Sequence, residues 1–258
     1  MRNGLNISGL SEYVNELKTR PEEAVIRFST AAALNRGLAQ VQTRTGTLGT
    51  TRMARGFRVD LEPSDAITEH LTTDEAAVAA LGACVLITHV QGFSVRGVNL
   101  TALTVDVDAD IEVDENGRWT GGDESLRNLR YKINVVGNGP VEQTRAIAQF
   151  ATCFSPNHRA FLDSAQFAVE ATVCRADGTK EEIVIPWEDL VVDEPPNAAG
   201  NGRTVNVRAA LRWDYGTETH ITTSLEPDPQ RRHTPTITAD QPKQCPASTR
   251  GRIRRNCC

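Results

Sequence analysis

The plainest periodicity in the chain lies in residues 103–113. Leu103, Val105, Val107, Ala109, Ile111 and Val113 alternate there with Thr104, Asp106, Asp108, Asp110 and Glu112. A period of two puts successive side chains on opposite faces, so the segment from Leu100 to Val113 reads as a strand with one apolar and one acidic face. Leu129, Tyr131, Ile133 and Val135 repeat the rhythm, and Gly137-Asn138-Gly139-Pro140 then turns the chain into a helix over about 141–152. Upstream the period changes. Leu10, Tyr13, Val14 and Leu17 recur at helical spacing, opened by Ser8 and stopped by Pro21, which predicts a short amphipathic helix over 8–19. Val25–Thr30, Gly37–Thr45 and Phe57–Leu61 read as an antiparallel meander punctuated by Gly37, Gly46 and Gly49.

Thr72-Thr73-Asp74-Glu75 has the spacing of a capping box and predicts the start of a helix that runs to Val95. That helix is crowded with Ala76, Ala77, Ala79, Ala80, Gly82 and Ala83. A glycine inside a helix costs about 1 kcal/mol relative to alanine, so close approach of another element at Gly82 is expected in compensation. Strands over Phe167–Cys174 and Glu181–Trp187 complete a unit in which helices follow strands in blocks, an α+β class of fold built on antiparallel sheets.

Asp193–Arg203, with Pro195-Pro196, reads as a linker. Beyond it the chain resembles its own beginning. At a constant offset of 179, Gly37 meets Gly216, Thr43 meets Thr222, Arg52 meets Arg231 and Pro63 meets Pro242. The segment reads either as a partial internal repeat or as a second polar meander alike by coincidence. In a repeat, the counterpart of Cys84 would fall at 263, beyond the last residue, and the copy would be truncated before its helix.

Composition narrows the classes. Hydrophobic content of 39%, charged content of 24% and net charge −5 describe a globular chain with enough length to bury a core. No apolar stretch is expected to span a membrane, and Met1–Ser8 lacks the apolar core of a secretory signal, so a cytoplasmic protein is expected. From Arg231 onward seven basic residues and one Asp give net +6, which leaves −11 for residues 1–230. Such a body does not attract nucleic acid, and the basic end reads as a solvated tail. The six cysteines (Cys84, Cys153, Cys174, Cys245, Cys257 and Cys258) include no Cys-x-x-Cys pair. Neither a metal site nor a bound cofactor is expected, and Cys174, among apolar strand neighbours, reads as core.

The run Glu75-Ala76-Ala77-Val78-Ala79-Ala80-Leu81-Gly82-Ala83-Cys84, then Arg96-Gly97-Val98, two strands, a Gly-x-Gly-Pro turn and a helix ending Cys153-Phe154-Ser155-Pro156-Asn157, resembles the OsmC/Ohr family over residues 20–190. The resemblance implies an intertwined homodimer with long central helices. It implies a cysteine-based peroxidase that takes organic hydroperoxides or hydrogen peroxide and is regenerated by an external dithiol. It divides the chain into an N-terminal helical extension (1–24), an OsmC-like domain (25–192), the linker (193–203), a partial second meander (204–244) and a disordered basic tail (245–258).

By the same resemblance Cys84 is the reactive thiol, and the thiolate it needs is stabilised by an arginine of the N-terminal sheet. Arg36 is the best match, with Arg27 and Arg55 behind it. An acidic residue near the helix start holds that arginine. Ten residues at 100° each put Asp74 about 80° from Cys84 around the helix, whereas Glu75 falls on the opposite face and already serves the cap, so Asp74 is preferred. Cys153 is the resolving thiol that would condense with a Cys84 sulfenic acid. The family commonly shows Cys-Pro-x-Ser here, and alignment on Pro156 would instead put Ser155 at the second-thiol position. The alternative function is therefore a ligand-binding or sulfur-handling protein with an incomplete two-thiol cycle. His89 and His158 read as structural side chains.

Overall fold

A computed structural model describes residues 1–35, 37–43, 46–52, 58–62, 70–113, 127–162, 169–186, 203–226 and 235–239. The first helix, α1, spans Ile7–Thr19, one residue earlier than the Ser8 start expected, and is capped by Asn6, whose side chain accepts from the Gly9 amide. A 3-10 turn at Pro21–Ala24 leads into short strands β1 (Ile26–Arg27), β2 (Thr30–Asn35), β3 (Leu38–Thr43), β4 (Thr47–Leu48), β5 (Thr51–Arg52), β6 (Arg58–Glu62) and β7 (Leu71–Thr72). They form two sheets, of order β1-β4-β5 and β2-β3-β6-β7.

Helix α2 spans Thr73–Val95 and opens on the expected capping box. The Thr72 amide donates to Glu75 Oε2 at 3.0 Å and the Glu75 amide donates to Thr72 Oγ1 at 3.3 Å. By length and apolar composition α2 passes as a membrane span, contrary to the expectation that no stretch would. Most of it is buried within the protein, which is why it is apolar on every side.

Strands β8 (Leu100–Val113) and β9 (Arg127–Gly137) form the predicted hairpin arms, with Val107 opposite Tyr131. Leu103, Val105, Val107 and Ala109 are fully buried against α2, as their alternation requires. Helix α3 spans Val141–Phe154. Ser155 then leaves the helical region, and a seven-residue helix, α4, restarts at Pro156 and runs to Leu162. Proline at a first helical position loses no hydrogen bond, so Pro156 begins this helix where the sequence reading had only the end of the previous one. Among the described residues, strands β10 (Val169–Cys174) and β11 (Lys180–Ile185) pair only with each other, and Cys174 is exposed, not core as expected.

The C-terminal strands β12 (Arg203–Tyr215), β13 (Glu218–Glu226) and β14 (Thr236–Ala239) do not stand apart from the domain. Strand β12 zips along β8 from Arg203 opposite Val113 to Arg212 opposite Thr104, giving a five-stranded sheet of order β14-β13-β12-β8-β9 with α2 across its inner face. A Cβ placed on Gly82 would lie 2.5 Å from Leu211 Cδ1 and 2.8 Å from Val107 Cγ2, so the close approach expected at Gly82 is made by both strands.

The two meanders correspond strand for strand. In the first, Ala32, Val41 and Val59 lie side by side, and in the second so do Leu211, Ile221 and Ile237. The next row pairs Leu34, Ala39 and Leu61 with Trp213, Thr219 and Ala239. The offsets are 179, 180 and 178 from strand to strand, not a constant 179. A one-residue slip turns a strand inside out, so the ungapped alignment sets the polar face of β3 against the apolar face of β13. Their surroundings differ. Leu211 and Trp213 are 2% and 9% exposed, whereas Leu34 is 82% exposed.

Candidate active site around Cys84

Cys84 lies near the middle of α2, two residues beyond Gly82, and is half-buried. Its carbonyl accepts from Thr88 Oγ1 at 2.8 Å, one turn along. One turn earlier, the Ala80 carbonyl accepts from Asn157 Nδ2 at 3.1 Å, which ties α4 to the turn that carries the thiol. The next residue, His158, places Nδ1 3.0 Å from the Tyr131 hydroxyl, with the two rings edge to face at 5.6 Å. Tyr131 reaches this point because β9 directs it toward α2, beside Val107.

The electrostatics bind these three groups together. Burial, and then the nearby Cys84 charge, push the Tyr131 hydroxyl up to about 12, so it stays protonated across the physiological range. Burial, and then the charge of Arg159, lower the pKa of His158 and favour its neutral ring. Further along the same side of α2, a groove of about 480 Å³ is lined by Thr88, Gly92, Val95, Ile147, Phe150 and Phe154, whose two phenyl rings stack at 4.1 Å. The groove begins at Thr88, one turn beyond Cys84, and its lining suits an apolar molecule.

The other expected residues are distributed as follows. Glu75 is fully buried in the capping box. Asp74 is half-buried in the first turn of α2, and ten residues of helical rise separate it axially from Cys84 by about 15 Å. Asp74 therefore does not reach the thiol directly. Arg36 and Arg55 lie outside the described residues, as do Cys245, Cys257 and Cys258. Arg27 is exposed on β1. Cys153 is exposed, two residues from buried Ala151 and hence about 200° around α3 from the face that packs on α2. Ser155, in contrast, is fully buried, and its hydroxyl has no hydrogen-bond partner among the described residues. His89 is structural: it is buried, its Nδ1 lies 2.7 Å from the Val85 carbonyl, and desolvation lowers its pKa.

Sequence reasoning missed Tyr131, which its alternation marked as an inward-facing strand residue, and treated His158 as isolated. The signal was present only as the odd polar member of the apolar series Leu129, Tyr131, Ile133 and Val135. Among the described residues one further group has metal-ligand character, Asp214, Glu218 and His220 at the β12–β13 turn. It lies on the outer side of the sheet, where Arg212 pairs directly opposite His220.

Residues 68–170 match the family model described as OsmC-like protein. A solved structure of an OsmC-like protein from Mycoplasma pneumoniae is similar, with 14% identity over 54% of this chain and 89% of that one and a TM-score of 0.39. None of the curated proteins matches the chain.

Proposed function

The chain belongs to the OsmC family through residues 68–170, and from that premise we propose that it is a cysteine-based thiol peroxidase working through Cys84. OsmC-like proteins include peroxidases and are commonly homodimers. The observation that carries the proposal is the convergence of a half-buried Cys84, the Tyr131–His158 pair and an apolar groove on one stretch of α2. The Cys84 thiolate attacks the terminal oxygen of a hydroperoxide. The S–O bond forms as the O–O bond breaks, leaving a sulfenic acid and an alcohol, or water when the substrate is hydrogen peroxide. The groove receives the organic part of the substrate. Arg36, held by Asp74, is proposed to keep Cys84 as the thiolate.

An external dithiol then returns the sulfenic acid to the thiol, with release of water and formation of the reductant's disulfide. In the two-thiol version Cys153 first condenses with Cys84. The exposure of Cys153 on α3 favours the one-thiol version. We assign this chemistry to a cytoplasmic homodimer, a setting in which the remaining thiols stay reduced.

Stopped-flow oxidation of the reduced protein by cumene hydroperoxide tests the proposal. The expected result is a rapid phase, absent from Cys84→Ser, at a rate well above that of a free thiol. Oxidation of Cys84 no faster than a free thiol would exclude the peroxidase reading and leave a ligand-binding or sulfur-handling role.

A further inference from the structure

We infer that Tyr131 is a further catalytic residue of this site, the proton donor to the oxygen that leaves when Cys84 cuts the O–O bond, and that His158 is the positioning residue that frees the Tyr131 proton for that task. The inference rests on the peroxidase reading above and adds to it a source for the proton that the reaction consumes.

Three separate elements bring the groups together. Tyr131 stands opposite Val107 on the inner face of the sheet, on its edge strand β9. From the other side, α4 is fastened to the Ala80 carbonyl by Asn157, and residues 80 and 84 lie one above the other on the helix. The adjacent His158 then meets Tyr131 at 3.0 Å. Phenol and imidazole are thus held against the turns of α2 that carry and precede Cys84. Helix α4, which begins afresh at Pro156, is the element that makes this contact.

The chemistry requires a donor at such a place. Cleavage of a hydroperoxide by a thiolate expels an alkoxide, a poor leaving group unless it is protonated as it departs. A general acid must still hold its proton at the working pH, and Tyr131 does so. The ionisable groups that bear on the pair are Cys84 from α2 and Arg159 from α4, while Arg130 and Lys132 alternate to the outer face of β9. With the imidazole neutral, the tautomer that carries its proton on Nδ1 donates to the Tyr131 oxygen. The phenolic hydrogen is then turned away from the ring and is available to the leaving oxygen.

The step balances. Thiolate, hydroperoxide and phenol give sulfenic acid, alcohol and phenolate, and the single negative charge moves from sulfur to the Tyr131 oxygen. Solvent then returns a proton to the Tyr131 oxygen, while His158 keeps its Nδ1 proton and remains in the same tautomer.

The test uses the full chain and two oxidants that differ in leaving group. With tert-butyl hydroperoxide, which expels an alkoxide, Tyr131→Phe is expected to slow single-turnover oxidation of Cys84 about 100-fold, within the range typical of a lost general acid. With peracetic acid, which expels a carboxylate that needs no proton, the same variant is expected to stay within about 3-fold of wild type, because general-acid help matters only for the poorer leaving group. His158→Leu should reproduce the selective loss in milder form. His158→Asn, which keeps an N–H near the Nδ1 position, should restore most of the rate, and nitrogen NMR of the wild type should show His158 protonated at Nδ1. Equal slowing with both oxidants would mark Tyr131 as merely structural, and no slowing with either would mark it as a spectator. Both results overturn the inference while leaving the peroxidase reading intact. If wild-type Cys84 reacts with neither oxidant faster than a free thiol, the peroxidase reading itself fails, and this inference with it.

Discussion

Leu211 fills the notch that Gly82 leaves in α2, so closely that a Cβ on residue 82 would come within 2.5 Å of its Cδ1. The contact joins the helix that carries Cys84 to a strand 129 positions later in the chain. Gly82→Ala gains about 1 kcal/mol in helix propensity but overpacks the notch at a cost of about 1–3 kcal/mol, so net destabilisation is expected. Leu211→Ala leaves a cavity and should cost about 2–5 kcal/mol. Made together, the two changes should cost less than their sum, because the methyl added at 82 occupies part of the space vacated at 211 although Val107 Cγ2 still crowds it at 2.8 Å. Denaturant unfolding of the four proteins measures the coupling, and strict additivity would show that the two side chains do not share this space.

The N-terminus of α2 offers a second measurement. The Thr72 hydroxyl donates to Glu75 Oε2 and accepts from the Glu75 amide, in a fully buried setting. Thr72→Val keeps the shape and removes both bonds, and a loss of about 2 kcal/mol is expected. Thr72→Ser keeps both and should stay within about 0.5 kcal/mol of wild type. Equal losses in the two variants would show that the Thr72 methyl group, not its hydroxyl, matters here.

Thiol accessibility provides a third. Cys153 and Cys174 are exposed, while Cys84 is half-buried. Cys153→Ser is expected to leave single-turnover oxidation of Cys84 by hydroperoxide unchanged, and peptide mapping of the oxidised wild type without prior unfolding should recover Cys84 with no bond to Cys153. A linked Cys84–Cys153 peptide formed at the rate of sulfenic acid decay would establish the two-thiol cycle.

Acid should weaken the fold in a window set by two histidines. His89 and His158 both have lowered pKa values in the folded protein, chiefly through burial. Between that lowered value and the ordinary one near 6.5, the unfolded chain binds more protons than the folded one, so stability rises with pH. Their contribution is complete above about pH 6.5 and is lost progressively as the pH falls below it. Carboxylates lowered by hydrogen bonds, such as Asp110, act only at more acidic pH. Thermal unfolding at pH 7.5 and 5.5 should show a drop for wild type that is smaller in His89→Leu when each protein is compared with itself. An identical drop in both would remove His89 from this account.

Much of the scaffold was legible because its signals are local. The Thr72–Glu75 cap, the alternation from Leu103 to Ile111 and the demand for a close neighbour at Gly82 each follow from residues within a few positions of one another. What escaped depends on separation. Tyr131 and His158 are 27 residues apart, and nothing in either segment fixes the register that brings them to 3.0 Å. Pro156 was read only as part of a helix end, whereas in first position it opens α4. Cys174 was read as core because alternation reports two faces but not whether anything covers one of them. The similarity of the two meanders was visible in Gly37 and Gly216, yet its alignment was out by one residue in two of three strands, since only the ladder reveals where each turn gains or loses a residue.

The seam between β8 and β12 also sets an order of events during synthesis. The apolar side of α2 and one edge of β8 have their final neighbour only after Leu211 and the rest of β12 have left the ribosome. At about 5–20 residues per second, translation of the intervening chain leaves that edge and the Gly82 notch open for roughly ten seconds. Throughout that interval the nascent protein presents unpaired backbone beside a hydrophobic helix, which makes it a substrate for chaperones before it has any chemistry of its own.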